Sequence, residues 1–476
     1  MKKEVVVMID DSGARQIDVA DKDKKIEKFA LHHPVVDFRI ITYQPDLLVN
    51  LIGQNVTRCE ILDFECLDKQ IRQSTELDVQ EGKWNIPNML SAYLDIEEKD
   101  WSFDERDEIL RLLADCYLVM KEKGAGEWKR IEEIEIPVNK ILYGAQLKGC
   151  YFNHDGIEPL CAELHRKIYG YKNQVQLELG FTGDDLETYL RFKEIRHNTL
   201  DDNEIKHLCK QYPELTPFRK LRRDKRNLNC LISLSAYRKD TNKCTPVFKG
   251  FGSSTGRIFM RDPSLQNLSR KFRGLLKNEN LPYGYRYVYV DFGQFEAGIL
   301  AGITGNKNLQ KIYEDDVLYE KLAGMSKMND RESAKVAFYC YVYGGIISKG
   351  TESFFETYGL KEIIDNVVKD AKQQGYIESP LGNRRIVKKE GDDKWIMNHY
   401  IQGTSSLIFK QALIDVSTSF HNKAELLIPM HDAALYLVDT SISTDSIINT
   451  FKRAFNKWIP KSKPVVKEKN FFEEKI

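Results

Sequence analysis

Hydrophobic and polar positions follow two different periods along this chain. Val5-Val6-Val7-Met8-Ile9 is an apolar, β-branched run, Asp10-Asp11-Ser12-Gly13 is a turn cluster, and Arg15-Gln16-Ile17-Asp18-Val19 alternates. Together they predict a strand, a hairpin turn and a returning strand. Leu47–Leu51 and Ile86–Leu94 read as helices, so the first ~120 residues predict mixed α/β structure. Residues 92–109 are rich in Asp and Glu and predict a solvated acidic segment.

From about 125 to 240 the pattern is helical. Asp155-Gly156-Ile157-Glu158 has capping-box spacing, with Ile157, Leu160, Leu164 and Ile168 at helical intervals behind it. Beyond about 245 the pattern changes again. Gly250-Phe251-Gly252-Ser253-Ser254-Thr255-Gly256 reads as a flexible turn region. Tyr285-Arg286-Tyr287-Val288-Tyr289-Val290 predicts a strand ending at Asp291. Glu332–Tyr343 predicts a helix, and Glu425–Met430 and Ala433–Val438 predict two strands joined across His431-Asp432.

Composition narrows the class. The 476 residues suffice for about three domains. Lys+Arg and Asp+Glu are both 71, so a wholesale polybasic protein is excluded while local basic patches are not. One such patch is Arg219-Lys220-Leu221-Arg222-Arg223-Asp224-Lys225-Arg226. It reads either as a solvated helix face or as a surface that tracks phosphates. No apolar run approaches the ~18 residues of a membrane helix. The apolar stretch after Met1-Lys2-Lys3-Glu4 is too short for a secretory signal, and nine cysteines form no C-x-x-C pair. These features predict a cytoplasmic protein without membrane association.

Two groups of residues suggest chemistry. Asp291 closes a predicted strand and Asp432 sits in a predicted hairpin turn. Placed in one sheet, the two carboxylates would repel unless a divalent cation lay between them, and oxygen-only ligands favour Mg²⁺. A turn Asp is more commonly structural, so neither is decisive alone. Arg331, Lys335, Tyr339 and Tyr343 recur every four residues, along one helical stripe that is cationic first and aromatic afterwards. The stripe suits a polyphosphate followed by a sugar and base, or else a helix with two exposed cations and two half-buried tyrosines. Gly344-Gly345 ends or bends that helix.

With these residues in place the chain resembles the family-A DNA polymerases, typified by bacterial DNA polymerase I. Asp291-Phe292-Gly293-Gln294-Phe295-Glu296 resembles the palm motif D-Y-S-Q-I-E, and Arg331-x3-Lys335-x3-Tyr339-x3-Tyr343-Gly344 resembles the fingers helix R-x3-K-x3-[FY]-x3-Y-G. Met430-His431-Asp432 resembles V-H-D. Thr255-Gly256-Arg257 with Asp262-Pro263-Ser264-Leu265-Gln266-Asn267 resembles T-G-R-L-S-S-x-D-P-N-L-Q-N. Gly375–Arg385 resembles G-Y-V-E-T-x-x-G-R-R-R, and Asn398-x3-Gln402-Gly403-Thr404 resembles N-x-P-x-Q-G-T. Six motifs occur in the family's order.

The resemblance implies an α+β right-hand fold of palm, fingers and thumb, behind a small α/β ribonuclease-H-like, exonuclease-type domain. The implied boundaries are 1–122 for the exonuclease-like domain and 123–476 for the polymerase domain. The thumb is placed at about 155–245, the palm at about 246–300 and 400–476, and the fingers at about 301–399. Asp291, Asp432 and the backbone carbonyl of Phe292 are the implied ligands of two Mg²⁺ ions, for which Mn²⁺ can substitute. Arg331 and Lys335 are implied to bind the incoming triphosphate, with Lys335 the general acid. Tyr339 is implied to stack beside sugar and base, Tyr343 and Glu296 to close the space around the 2′ position, and Gln294 to join this substrate-binding set. Arg257, Gln266, Asn267, Asn398, Gln402 and His431 are implied to touch DNA near the primer end, and Arg222 and Arg223 to meet duplex phosphates from the thumb. The implied partners are primer-template DNA and deoxynucleoside triphosphates. The protein is expected to be a monomer, with any processivity partner unidentified.

Departures from the family pattern are specific. Ala433 stands where the third motif has Glu, and Ala297-Gly298 where Leu-Arg is usual. Forty positions separate Asp291 from Arg331, which implies trimmed fingers. Tyr at 339 goes, in this family, with easier acceptance of dideoxynucleotides. In the amino-terminal part, Asp46 and Asp115 match positions of exonuclease acids, and Trp84–Leu94 resembles an exonuclease helix. The D-x-E strand has no counterpart, Arg111 replaces a Tyr, and Asp10-Asp11 reads as a turn. A shortened domain without proofreading, preceded by no 5′-nuclease, is the expectation. The leading reading is a template-directed DNA polymerase. A polymerase using RNA templates or ribonucleotides, and a non-catalytic nucleic-acid-binding relative, are the alternatives.

Overall fold

The computed structural model describes residues 2–11, 13–29, 38–73, 84–100, 105–181, 185–195, 200, 202–237, 240–328, 330–345, 349–388 and 393–472. Ser12 of the predicted turn and residues 101–104 of the acidic segment lie outside them.

The amino-terminal hairpin forms as its pattern requires. Strand β1 (Lys3–Asp10) pairs antiparallel with β2 (Gly13–Asp18), and Asp10 faces Gly13 at the turn. With β3 (Ile26–Lys28), β4 (Phe38–Thr42) and β5 (Glu60–Asp63) they build one sheet in the order β3-β2-β1-β4-β5, in which β4 runs parallel to both β1 and β5. A three-stranded meander extended by two parallel strands agrees with a ribonuclease-H-like α/β unit. Val5 to Met8 are all buried because both faces of β1 are covered. The two-residue period sends Val6 and Met8 into a core with Leu110, Leu113 and Tyr117 of the Arg106–Lys123 helix, and Val5 and Val7 into one with Leu48, Val49 and Ile52 of the Pro45–Ile52 helix. Ile131, Ile136 and Tyr143, past the expected boundary at 122, belong to these same cores.

Two long helices follow, Ile157–Leu179 and Thr216–Ser235, packed through Leu164, Ile168, Leu221, Leu228 and Leu231. The expected capping box is not used. Asp155 lies inside a 3₁₀ turn, His154–Gly156, where its N–H donates to the Asn153 side chain at 3.1 Å, so the helix begins at Ile157 without a side-chain cap. The basic tract lies on the second helix: Leu221, Asp224 and Leu228 face inward, while Arg219, Lys220, Arg222 and Arg223 are exposed. Short ladders join β6 (Cys150–Tyr151) to β7 (Lys243–Cys244) and β8 (Val247–Lys249) to β9 (Phe259–Arg261).

The central sheet is antiparallel. It comprises β10 (Tyr285–Phe292) and, after a separate hairpin of β11 (Tyr376–Ser379) and β12 (Gly382–Ile386), β13 (Ala424–Pro429), β14 (Ala433–Asp439) and β15 (Val466–Lys469), in the order β13-β14-β10-β15. The 27-residue helix Lys394–Phe420 is buried on nearly every side, as its apolar run Leu407, Ile408, Phe409, Ala412 and Leu413 demands. Helix Thr444–Trp458 sets Phe451 and Phe455 against Phe292 and Phe295 beneath the sheet.

Buried polar contacts fasten the amino-terminal unit to the rest. Lys249 Nζ contacts Asp63 Oδ2 at 2.6 Å and Glu65 Oε2 at 2.9 Å. Glu127 accepts the N–H groups of Asn383 and Arg384 at 2.8 and 2.9 Å. Gly382, with φ +92°, is required there: a Cβ would come 2.9 Å from Glu127 Oε2. Glu135, buried, accepts from Arg130 Nε at 3.0 Å and Lys410 Nζ at 2.5 Å.

Candidate active site

Main-chain pairing brings the two acids together. Asp291 lies opposite Ala433 in the β10–β14 ladder, and the Phe292 N–H donates to the Asp432 carbonyl at 2.9 Å. Asp291 is 7% exposed, and Asp432 lies in the turn between β13 and β14. The Asp432 carboxyl is pushed up to about 6, first by lost hydration and then by the charge of Asp291; Lys469 and Lys335 oppose the rise. A dication relieves that repulsion, and a donor set made of oxygen alone suits a hard ion that completes its shell with water and phosphate. The residues therefore fit Mg²⁺. Phe292 ends β10 with its ring buried and stacked on Phe295 at 4.2 Å, which holds the main chain carrying its carbonyl.

The four-residue stripe forms the helix Arg331–Val342, with Tyr343 at its carboxyl end. Asp330 caps it by accepting the Ser333 N–H at 2.6 Å, and buried Ala334, Phe338 and Val342 anchor the flank beside the stripe. Gly344, φ +76°, ends the helix as expected. Arg331 Nε contacts Glu320 Oε1 at 2.8 Å, and the guanidinium lies 5.2 Å from the Tyr319 ring centre and 3.9 Å from Asp316. Lys335 is half-buried, and its charge reaches Asp432. The Tyr319 hydroxyl donates to that of Tyr339 at 3.2 Å, and the Tyr339 and Tyr343 rings lie 5.8 Å apart.

A second chain of contacts crosses from the palm to this helix. Glu296, in the first turn of the Phe295–Thr304 helix, accepts from Arg257 Nη2 at 2.7 Å and from the Tyr343 hydroxyl. The Gln402 side chain lies close enough to the Tyr343 phenol to act on its ionisation. Burial and the Glu296 charge hold the Tyr343 phenol far above its usual range, so it remains a donor.

Other expected residues are placed differently. Gln266 donates to the carbonyls of Ile258 and Pro429 at 3.1 and 2.8 Å and accepts the Met260 N–H at 3.1 Å. Its amide braces β9 against β13. Gln294, at φ +48°, turns the chain from β10 into the next helix and donates to Asp316. His431 is exposed beside Asp432, and Asn398 lies one helical turn before Gln402. Asn267 is exposed and donates to Ser264 Oγ at 2.8 Å. Arg222 donates to the Leu200 carbonyl at 2.7 Å and Arg223 pairs with Asp224 at 2.8 Å, both on the exposed face of the Thr216–Ser235 helix.

Sequence reasoning missed the contribution of β15. Lys469 Nζ hydrogen-bonds Asp291 Oδ1, and Lys467 Nζ contacts Asp316 Oδ2 at 2.6 Å. The alternation Lys467-Glu468-Lys469 was a visible signal, because residues two apart share a strand face. In the amino-terminal unit, Asp46 is half-buried in the first turn of its helix, Asp115 is paired with Lys24, and Asp10 is paired with Arg15 and Arg106.

Comparison with known proteins bears on the family and the fold. The family model for DNA polymerase family A matches residues 188–458. DNA polymerase I of Treponema pallidum is 24% identical over 404 residues, which cover 72% of this chain and 40% of that protein. DNA polymerase I of Borreliella burgdorferi is 24% identical over 364 residues, 64% of this chain and 40% of that protein. The chain thus spans about two fifths of the length of these relatives. Among solved structures, the polymerase domain of Pol1 from M. smegmatis, in complex with DNA primer-template and dNTP, superposes with a TM-score of 0.73 at 18% identity, covering 98% of this chain and 94% of that one. With the family match spanning more than half of its residues, and the paired acids and cationic helix in place, this chain belongs to DNA polymerase family A.

Proposed function

We propose that the chain is a template-directed DNA polymerase that adds deoxynucleotides to a primer 3′ end without proofreading. The observation that carries this reading is the placement of Asp291, near the end of β10, against the hairpin turn that carries Asp432, within electrostatic reach of Lys335 on the fingers helix. Asp291, Asp432 and the Phe292 carbonyl are the ligands we assign to two Mg²⁺ ions, with Mn²⁺ able to substitute. When bound, such ions lower the pKa of the attacking 3′-hydroxyl and stabilise the leaving oxygen.

The chain's own residues supply binding, orientation and a proton. Arg331 exchanges Glu320 for the triphosphate, gripping its oxygens through the guanidinium fork. Lys335 stands beside the carboxylates as the proton donor to the departing pyrophosphate. Tyr339 stacks on the nucleotide, while Glu296 and Tyr343, bonded to one another, leave no room for a 2′-hydroxyl. Arg257 and Gln402 orient that pair and face the primer end. The basic face at Arg219, Lys220, Arg222 and Arg223 tracks duplex phosphates without reading sequence. This division of labour suits phosphoryl transfer, which depends on positioning and charge stabilisation.

Primer extension with Mg²⁺ tests the reading. Wild type is expected to extend a DNA primer on a DNA template with dNTPs. Asp291→Ala and Asp432→Ala are expected to lose at least ~10³-fold in rate while still binding the duplex. Extension preferring ribonucleotides or an RNA template would shift the substrate. Duplex binding without extension by wild type would leave a non-catalytic binding protein.

A further inference from the structure

The strand β15 is the edge of the central sheet and runs antiparallel to β10, with Lys467 opposite Asp291 and Lys469 opposite Tyr289. The strand period therefore places Lys467, Lys469 and Asp291 on one face. Lys469 reaches diagonally to Asp291 Oδ1, and its side chain retains about a third of its exposure, so the ammonium lies at the surface and not in the core. A lysine is thus already seated on one of the two carboxylates assigned to the metals.

We propose that Lys469 is a built-in counter-cation of the metal site, which neutralises the acid pair when no ion is bound and so raises the metal concentration that the site requires. The inference rests on the metal-site reading above. Three consequences follow from electrostatics alone. The acid pair carries two negative charges, and Lys469 removes one before any ion arrives. An incoming dication must displace the ammonium from Asp291 Oδ1 or share the carboxylate with it, and it is repelled in either case. In a water-like dielectric, the repulsion between a unit charge and a dication across ~6 Å corresponds to about tenfold in a binding constant.

The test is binding of Mn²⁺ alone, followed by the electron paramagnetic resonance signal of the free ion, with no DNA or nucleotide present. Lys469→Met is expected to bind Mn²⁺ about tenfold more tightly than wild type, and Lys469→Arg, which keeps the charge, to match wild type. Without metal, Lys469→Met is also expected to melt below wild type, with the gap closing at saturating Mn²⁺. Asp291→Asn and Asp432→Asn separate the two levels of the argument. If they bind Mn²⁺ as wild type does, the metal-site reading fails. If they lose binding while Lys469→Met binds no tighter than wild type, only the role of Lys469 is overturned. Absence of Mn²⁺ binding in every variant overturns it as well.

Discussion

The Tyr343 hydroxyl donates to Glu296 Oε2, joining the end of the Arg331–Val342 helix to the first helix after β10. Arg257 holds the other Glu296 oxygen at 2.7 Å, so the carboxylate is fixed from both sides. On the proposed reading, a wall held in this way would discriminate by steric exclusion at the 2′ position. Glu296→Ala removes the bond and the volume together. Ribonucleotide incorporation relative to deoxynucleotide is expected to rise about 10–100-fold, measured as the ratio of kcat/KM values for the two nucleotides. An unchanged ratio would remove Glu296 from the gate.

Tyr339 presents a hydroxyl that accepts from Tyr319 at 3.2 Å. Its replacement by Phe leaves the stacking ring and removes one polar group near the expected sugar position. Tyr339→Phe is expected to reduce dideoxynucleotide use by about 10–100-fold with little change in deoxynucleotide use. Chain-terminator ladders run at matched nucleotide ratios measure this directly.

Glu135 neutralises two buried cations, Arg130 and Lys410, at the junction of the amino-terminal unit and the palm. Burial holds the Lys410 ammonium down at about 8, the charge of Glu135 working against that fall. Glu135→Gln leaves both cations in a dry site without a counter-charge. A loss of about 3–5 kcal/mol in unfolding free energy is expected from urea titration. Glu132, exposed nearby, serves as control: Glu132→Gln is expected to cost under ~1 kcal/mol.

His399 is buried, its Nε2 lies 2.8 Å from the Asn383 carbonyl, and desolvation followed by the Arg385 charge holds its imidazole down at about 3. An unfolded histidine titrates near ~6.5. Between these values the unfolded chain takes up a proton that the fold refuses. The contribution is therefore complete above ~6.5 and is lost as pH falls towards 3. Between pH 7.5 and pH 5 this amounts to about 2 kcal/mol of lost stability. His399→Gln is expected to flatten that pH dependence, whatever its effect on absolute stability; an identical slope in the variant would exclude His399 as the source.

The exposed basic face of the Thr216–Ser235 helix makes a separate prediction. Each phosphate neutralised by a cation contributes about 0.9 to the slope of log K against log salt. Arg222→Ala with Arg223→Ala is expected to weaken duplex binding on every sequence alike and to lower that slope by up to about two. Fluorescence anisotropy across a salt series measures it, and an unchanged slope would mark a solvated face with no DNA contact.

What the chain determined by itself is local. The strand ending at Asp291, the four-residue stripe from Arg331 to Tyr343, the hairpin about Asp432 and the turn at Asp10-Asp11 all rest on periods and turn chemistry written within about ten residues. All of them stand where the pattern puts them. The motifs also preserved their order, which carried the family resemblance. The tertiary structure decided what depends on contacts between distant segments. Lys469 meets Asp291 across 178 positions, and Lys410 meets Glu135 across 275. Gln266 meets the Pro429 carbonyl across 163 positions, because β13 folds back beside it. Capping at Asp155 likewise gave way to a 3₁₀ turn closed by Asn153. Periodicity states which face of a strand or helix is apolar; it does not state which charged side chain from another strand will arrive there. That is set by sheet order and register, which exist only once the whole core has closed.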